Sequence, residues 1–89
     1  MLLLPTEITH RSARSCVHML VQALRAEDTV AVVDAGNLTK FDSSALAVLL
    51  ECRREAQVLG KTFSVRSLPA RLRALAVMYA VAELLPAAP

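Results

Sequence analysis

The sequence contains very little glycine and few aromatic residues. Its 89 residues include two Gly, two Phe, one Tyr and no Trp, whereas 55% are hydrophobic. An all-β barrel would need more turn residues, and a stacking surface for single-stranded nucleic acid would need more aromatic side chains. A formal net charge of only +2, carried by scattered arginines, also argues against nucleic acid. Alanine, leucine and valine dominate, which favours helices packed on a small sheet.

Long apolar runs and a cysteine framework are also missing. Every apolar run is far shorter than the ~20 residues needed to cross a bilayer, and Pro5 and Glu7 interrupt the apolar start, unlike in a signal peptide. We therefore expect no direct membrane insertion. Cys16 and Cys52 lack the spacing of a redox motif or zinc site. They are predicted to be two buried thiols in a reducing cytoplasm, and we expect no metal and no cofactor.

The hydrophobic pattern predicts an α/β domain with the order β-α-β-α-β-α. The expected elements are a strand over residues 2–8, a helix capped by Thr9 that runs to Arg25, and a strand in "TVAVVDA" that is covered on both faces. They are followed by a helix over residues 43–59 that stops at Gly60, a strand in "KTFSVRS" and a helix that begins at Pro69. Right-handed crossovers would place the helices against a small, largely parallel sheet, in one domain over residues 1–89. The tail "VAELLPAAP" is expected to make a short apolar contact and to fray after Pro86.

Helical spacing assigns a core face to each predicted helix. The expected core residues are Ala13, Cys16, Val17, Leu20 and Leu24 in the first helix, Ala45, Leu49, Cys52, Ala56 and Leu59 in the second, and Leu68, Leu72, Leu75, Ala76 and Tyr79 in the third. In the second helix, Leu46 and Leu50 fall outside this face, one turn apart. They are a candidate partner surface. The alternative is that a neighbouring loop or the C-terminal tail covers them.

The Asp42-Ser43-Ser44 step precedes the second helix and permits several functions. Asp42 or Ser43 can cap the helix, which stabilises it by roughly 1 kcal/mol. A nucleophilic serine would need a base, but His10 and His18 both lie on or beside the first helix, and there is no G-x-S-x-G elbow. We therefore expect no catalytic residue and no enzyme. A second hydroxyl remains beside the helix N-terminus, where a phosphate could change docking without unfolding the helix.

Two stretches resemble a known family. "VVDAGNLTKFDSSALAVLLECRREAQVLGKTFSV" resembles the STAS domain shared by anti-sigma factor antagonists and the cytoplasmic tails of sulfate transporters. The residues that match its pattern in order and spacing are Asp34, Asp42, Ser43, Ser44, Leu46 and Gly60. "LPARLRALAVMYAVAELLP" is similar to the end of the STAS subunit of the Mla phospholipid-transport system (MlaB-like), with its Leu-Pro, Leu-Ala-x-x-Tyr and Leu-Leu-Pro elements.

The resemblance implies a non-enzymatic cytoplasmic subunit at the inner face of the inner membrane of a Gram-negative cell. It would bind the ATPase of an ABC-type phospholipid (Mla) transporter that maintains outer-membrane lipid asymmetry. The alternative is an anti-sigma factor antagonist that binds an anti-sigma factor kinase. The implied docking residues are Lys40, Phe41, Asp42, Ser43, Ser44, Leu46 and Leu50. Ser44 stands where the antagonists carry their phosphorylated serine, and Ser43 is the less favoured phosphorylation site.

Three departures from the family pattern carry further expectations. Ala45 stands where the motif usually has Gly, which would restrict the approach of a partner backbone. Ala80 replaces the Gly expected after Tyr79, so the last helix is expected to run on slightly. The chain begins about one strand late, which implies a truncated N-terminal hairpin and an exposed sheet edge. Such an edge would allow a homodimer.

Overall fold

The computed structural model describes residues 1–88, in which short strands alternate with three α-helices. The strands are β1 (Leu2–Leu3), β2 (Glu7–Ile8), β3 (Val30–Asp34), β4 (Lys40–Phe41) and β5 (Thr62–Arg66). The helices are α1 (Ala13–Arg25), α2 (Ser44–Val58) and α3 (Ala70–Met78), followed by a 3₁₀ turn at Ala82–Leu84. The predicted α/β class is confirmed.

The strands form two small parallel sheets. One has the order β1-β3-β5, with Val33 of β3 opposite Leu2 of β1 and Val65 of β5. The other pairs β2 with β4. In the central strand β3, Ala31 and Val33 are fully buried on one face, whereas Val32 on the other face is only half-buried. The prediction of a largely parallel sheet is confirmed, but β3 is fully covered on one face only.

The predicted first strand is split into β1 and β2 at Pro5 and Thr6. Proline has no N–H to donate to a strand ladder, so pairing cannot continue through Pro5. The Leu4 N–H still bonds the Asp34 carbonyl at 2.9 Å, beside β3. The Thr6 carbonyl instead accepts the backbone N–H of Lys40 at 3.0 Å, and so begins the second sheet. Every strand pair within residues 1–88 is parallel.

Helix α1 begins at Ala13, four residues after the predicted start at Thr9. The Thr9 carbonyl accepts from the N–H groups of Ser12 and Ala13, and the Thr9 N–H donates to the Ser12 hydroxyl at 3.1 Å. These bonds close a turn before the helix. The prediction that Thr9 caps α1 is therefore wrong.

Helices α1 and α2 pack against each other, and α2 also contacts β5 and α3. Buried apolar side chains from both helices and from all three strands of the larger sheet form the core. The Lys61 ammonium lies beneath the end of α1, where it donates to the Leu24 carbonyl at 2.8 Å and also to the Glu27 carbonyl. In the described part of the chain, no helix is long and apolar enough to cross a membrane.

Helices α2 and α3 end in the same way, although only one of them ends with glycine. Gly60 follows α2 with a φ of 71°, and Ala80 follows α3 with a φ of 60°. In each case the next residue's N–H bonds back to the helix, Lys61 to the Ala56 carbonyl and Val81 to the Ala76 carbonyl. The N–H groups of Gly60 and Ala80 also donate, to the Gln57 and Val77 carbonyls. Two such hydrogen bonds at a helix end form a Schellman motif. Helix α3 therefore does not run on past Tyr79, and the prediction that it would is wrong.

The C-terminal segment pairs with the outer edge of β5. The Val65 N–H donates to the Pro86 carbonyl at 2.8 Å, and the Ala88 N–H donates to the Val65 carbonyl at 2.9 Å. Leu85, just before this segment, is only 1% exposed. The predicted apolar contact of the tail is confirmed, whereas the predicted fraying after Pro86 is wrong for Ala87 and Ala88. Pro89 lies outside the described residues. The homodimer through a sheet edge stays a prediction, and this edge of β5 is partly covered.

Candidate functional site

Asp42 connects β4 to α2 and caps that helix. Its Oδ1 atom accepts the Ser44 N–H at 2.9 Å and also the Ser44 hydroxyl. Ser43, at the N-cap position, makes no side-chain capping bond. Of the two predicted caps, Asp42 is therefore correct and Ser43 is wrong.

The second oxygen of Asp42 holds the loop before α1. Oδ2 accepts the His10 N–H at 3.1 Å, and the His10 Nδ1 atom lies 3.6 Å from the same oxygen. The bond from the Ser44 hydroxyl, with smaller contributions from the Ser44 and His10 N–H groups, lowers the pKa of Asp42 to about 2. The carboxylate is therefore ionised at neutral pH and joins the starts of both helices.

The two serines have different surroundings. Ser44 is half-buried, and its hydroxyl is already donated to Asp42. Ser43 is exposed, and within residues 1–88 its hydroxyl has no hydrogen-bond partner. In the same residues neither serine bonds a histidine, so the pairing of nucleophile and base is not formed. The free hydroxyl of this corner belongs to Ser43.

An apolar groove of about 300 Å³ lies beside Ser43. Its lining residues are Ser43, Leu46, Ala47, Leu50, Tyr79 and Val81. Leu46 is only 4% exposed and belongs to the core, and Leu50 is half-buried against it. The prediction that both leucines lie outside the core is therefore wrong for Leu46. Tyr79 and Val81 line the same groove beside the two leucines, and contact of Leu50 with a partner stays a prediction.

Two further predicted docking residues lie on β4, beside the capped corner. The Lys40 ammonium is exposed and lies 3.2 Å from the Glu7 carboxylate on the paired strand. Phe41 is half-buried, and the Arg71 guanidinium of α3 covers its ring at 5.4 Å from the centroid. The structure thus places Lys40, Phe41, Asp42 and Ser43 at one corner. Their contact with a partner stays a prediction.

Sequence reasoning misjudged Tyr79 and Ala45. Tyr79 was expected in the core stripe of α3, but it is 56% exposed and lines the groove. A tyrosine in the last turn of a helix, next to a chain reversal, is the signal that could have indicated this exposure. Ala45 is fully buried, which confirms its assignment to the core face of α2, whereas the expectation that its methyl group would restrict a partner's approach is wrong.

The cysteines are buried, as predicted. Burial raises the pKa of both thiols, and it raises that of Cys52 to about 12. Neither thiol is therefore an activated nucleophile. Among residues 1–88 we find no group of three or more His, Cys, Asp or Glu side chains that could hold a metal ion.

Comparison with known proteins identifies the family. Residues 1–86 match the family described as "Mlab, STAS domain". The chain therefore belongs to the STAS domain family, whose members are protein-interaction domains. The solved structure of the anti-sigma factor antagonist SpoIIAA in its unphosphorylated form is similar, with a TM-score of 0.73 at 16% identity, over 98% of this chain and 76% of that one. At this identity the likeness shows the fold alone. No curated protein matches the chain in sequence.

Proposed function

We propose that this chain, as a single STAS domain, is a non-enzymatic cytoplasmic subunit that docks on the ATPase of an ABC-type phospholipid transporter of the Mla type. Through this partner it would lie at the inner face of the inner membrane. The family description, which covers residues 1–86, supports the transporter assignment. The observation that carries the proposed site is the exposed, unpartnered hydroxyl of Ser43 at the rim of the apolar groove.

The groove suits docking because its polar and apolar parts are fixed before a partner arrives. Asp42 holds the first turn of α2 and the loop before α1. Leu50 and Tyr79 supply apolar surface, and an aromatic side chain of this kind is a frequent interface anchor. Ser43 can bond a partner without breaking an internal hydrogen bond. Little ordering would then be needed on binding.

The test is co-purification of the tagged protein from detergent-solubilised membranes. Ser43→Arg places a long charged side chain at the groove and is expected to abolish retention of the ATPase. Gln57→Arg is the matched control, because it lies on the same helix about 20 Å away at 1.5 Å per residue and is also exposed. Retention of the ATPase by Ser43→Arg would show that the proposed surface is wrong.

The non-enzymatic part of the proposal has its own test. In the described residues the carboxylate that contacts Ser44 is Asp42, whose pKa of about 2 makes it a weak base. We expect a serine-directed fluorophosphonate probe to leave the folded protein unlabelled. Stoichiometric labelling of Ser43 or Ser44 would contradict this expectation.

A second candidate function is an anti-sigma factor antagonist regulated by phosphorylation of Ser44. The fold shared with SpoIIAA supports it. A phosphate on Ser44 would remove the hydroxyl proton donated to Asp42 and bring nearly two negative charges beside that carboxylate. The cap of α2 would have to rearrange, and this rearrangement would be the switch.

Two observations separate these candidates. The antagonist predicts a mass increase of one phosphate in protein isolated from cells, lost in Ser44→Ala and retained in Ser43→Ala. The transporter subunit predicts unmodified protein and a neighbouring gene for a lipid-transporter ATPase. A neighbouring gene for an anti-sigma factor kinase would support the antagonist.

A further inference from the structure

The outer face of α1 carries basic side chains and no acidic ones. Helix α1 contains arginine and histidine but neither Asp nor Glu. Arg14, His18 and Gln22 recur every four residues on its exposed side, and Arg11 lies one turn earlier. Side chains at this spacing are neighbours on a helix surface. The four side chains therefore form one row, which carries the positive charges of Arg11 and Arg14.

This row borders an open depression of about 720 Å³. Arg11 and Arg14 supply its charge, and Ser15, His18 and Gln22 supply hydrogen-bonding groups. Met19 gives it an apolar surface and is 52% exposed. A flexible thioether of this kind adapts to different apolar partners. The depression thus combines positive charge with one apolar contact.

The positive charge of the depression is not neutralised within residues 1–88. Arg11 and Arg14 form no salt bridge there, whereas the carboxylates on either side already have cationic partners. Glu7 lies 3.2 Å from Lys40, and Glu51 lies 3.8 Å from Arg54. The amino-terminal end of α1 adds a partial positive charge at the same place. An acidic ligand would complement this charge.

The basic depression continues into the candidate docking site. A second depression of about 500 Å³ lies between α1 and α2 and shares Arg14 and His18 with the first. It shares Ala47 with the groove beside Ser43. A partner bound at Ser43 could therefore extend without interruption to Arg11.

We propose that the basic depression on α1 binds an acidic segment of the same protein partner that docks at Ser43. The segment would carry two or more Asp or Glu residues for Arg11 and Arg14, and an apolar side chain for Met19. The inference rests on the proposed function, because it assigns a second contact to that partner. A membrane surface fits less well, since recruitment by charge takes about four to eight clustered basic residues.

The test compares charge-reversed variants in binding to the co-purified ATPase. Arg11→Glu with Arg14→Glu is expected to raise the Kd at least about tenfold at low salt, and this difference should shrink as salt is added. Arg66→Glu with Arg73→Glu is the matched control, because both residues are exposed, lie outside both depressions and change the net charge equally. Thermal unfolding confirms that each variant is folded.

The outcomes separate the inference from the proposed function. Unchanged binding by Arg11→Glu/Arg14→Glu, with binding lost in Ser43→Arg, would overturn the inference alone. A wild-type protein that retains no ATPase would overturn both. Sedimentation with phosphatidylcholine vesicles that contain or lack phosphatidylglycerol tests whether the depression binds a membrane surface instead. Arg11-dependent binding to the anionic vesicles without any protein partner would also overturn the inference.

Discussion

Helices α1 and α2 lie side by side but are held in the molecule in different ways. Helix α1 buries one stripe, made of Cys16, Leu20 and Leu24, and presents its other faces to solvent. Helix α2 is covered by α1, β5 and α3, and six of its residues are buried. Its start and end are held by nearby residues, whereas the end of α1 is held by a distant lysine. The two helices therefore differ in how many of their faces are buried and in whether near or distant residues stabilise their ends.

The largest expected effect concerns the second buried face of α2. Leu46→Ala removes a side chain that is 4% exposed and should destabilise the fold by about 2–4 kcal/mol, as lost burial and a cavity act together. Met19→Ala, on the exposed face of α1, should lower the free energy of unfolding by less than about 0.5 kcal/mol. Urea unfolding of both variants measures the difference. Equal costs would mean that α2 has one buried face, like α1.

A smaller effect is expected at the end of α1. Lys61→Met removes the ammonium that bonds the Leu24 carbonyl, and this should destabilise the protein by about 1–2 kcal/mol. Lys40→Met is the control, because its ion pair with Glu7 is exposed and should contribute less than about 1 kcal/mol. Thermal unfolding of the two variants at one pH gives the comparison. If both variants lower the stability equally, the bond from Lys61 to the end of α1 contributes no more than an exposed ion pair.

Substitutions at the two helix ends, Gly60 and Ala80, should change the stability by about 1 kcal/mol in opposite directions. Ala80→Gly relieves a left-handed backbone at φ 60° and should stabilise the fold by about 1 kcal/mol. Gly60→Ala, at φ 71°, should destabilise it by a similar amount, since nothing within 4 Å of the new methyl group would add a clash. Denaturant midpoints test both. A destabilised Ala80→Gly would show that the Ala80 methyl group contributes packing that outweighs the strain.

The smallest expected effect appears only at low pH, at the start of α2. Because the folded pKa of Asp42 is below its usual value of 3.8, its contribution to stability is present above that pH and is lost as the pH falls to about 2. Ser44→Ala removes the largest cause of the shift, so the pKa should rise towards 3.8. Stability should then fall less steeply between these pH values than in the wild type. An NMR titration of the Asp42 carboxyl carbon checks this, and an unchanged pKa would contradict it.

The same two helices show why sequence patterns predicted some features and missed others. The buried stripe of α1 was predicted correctly, because the helix is covered on one side and its 3.6-residue pattern is simple. Its start was not, since Thr9 and Ser12 close a turn before the helix and Asp42, 32 residues away, holds the His10 N–H in that turn. For α2 the ends were predicted to within one residue, as Asp42 and Gly60 are local signals. Its faces were not, because α3 packs against α2 and Val81 lies beside Leu46 in the same groove.

The candidate site was predicted in part for the same reason. The capping role of Asp42 follows from its place before an apolar helix. That Ser44, and not Ser43, gives its hydroxyl to Asp42 depends on side-chain directions that sequence spacing leaves open. The exposure of Tyr79 at the groove depends on the chain reversal at Ala80, where an alanine takes a conformation that usually requires glycine.

By itself the sequence determined the three helices and the main strands, the ends of α2 and the Asp-Ser-Ser step, because propensity, periodicity and capping act over a few neighbouring residues. The alternation of strands and helices also determined the parallel sheet, but not β4 or the split of the first strand at Pro5. Tertiary structure alone decided what lies on the second face of α2, which serine is free, and how the tail pairs with β5. These features require segments far apart in the chain to meet. Burial and hydrogen bonding between such segments have no signature in any single stretch of sequence.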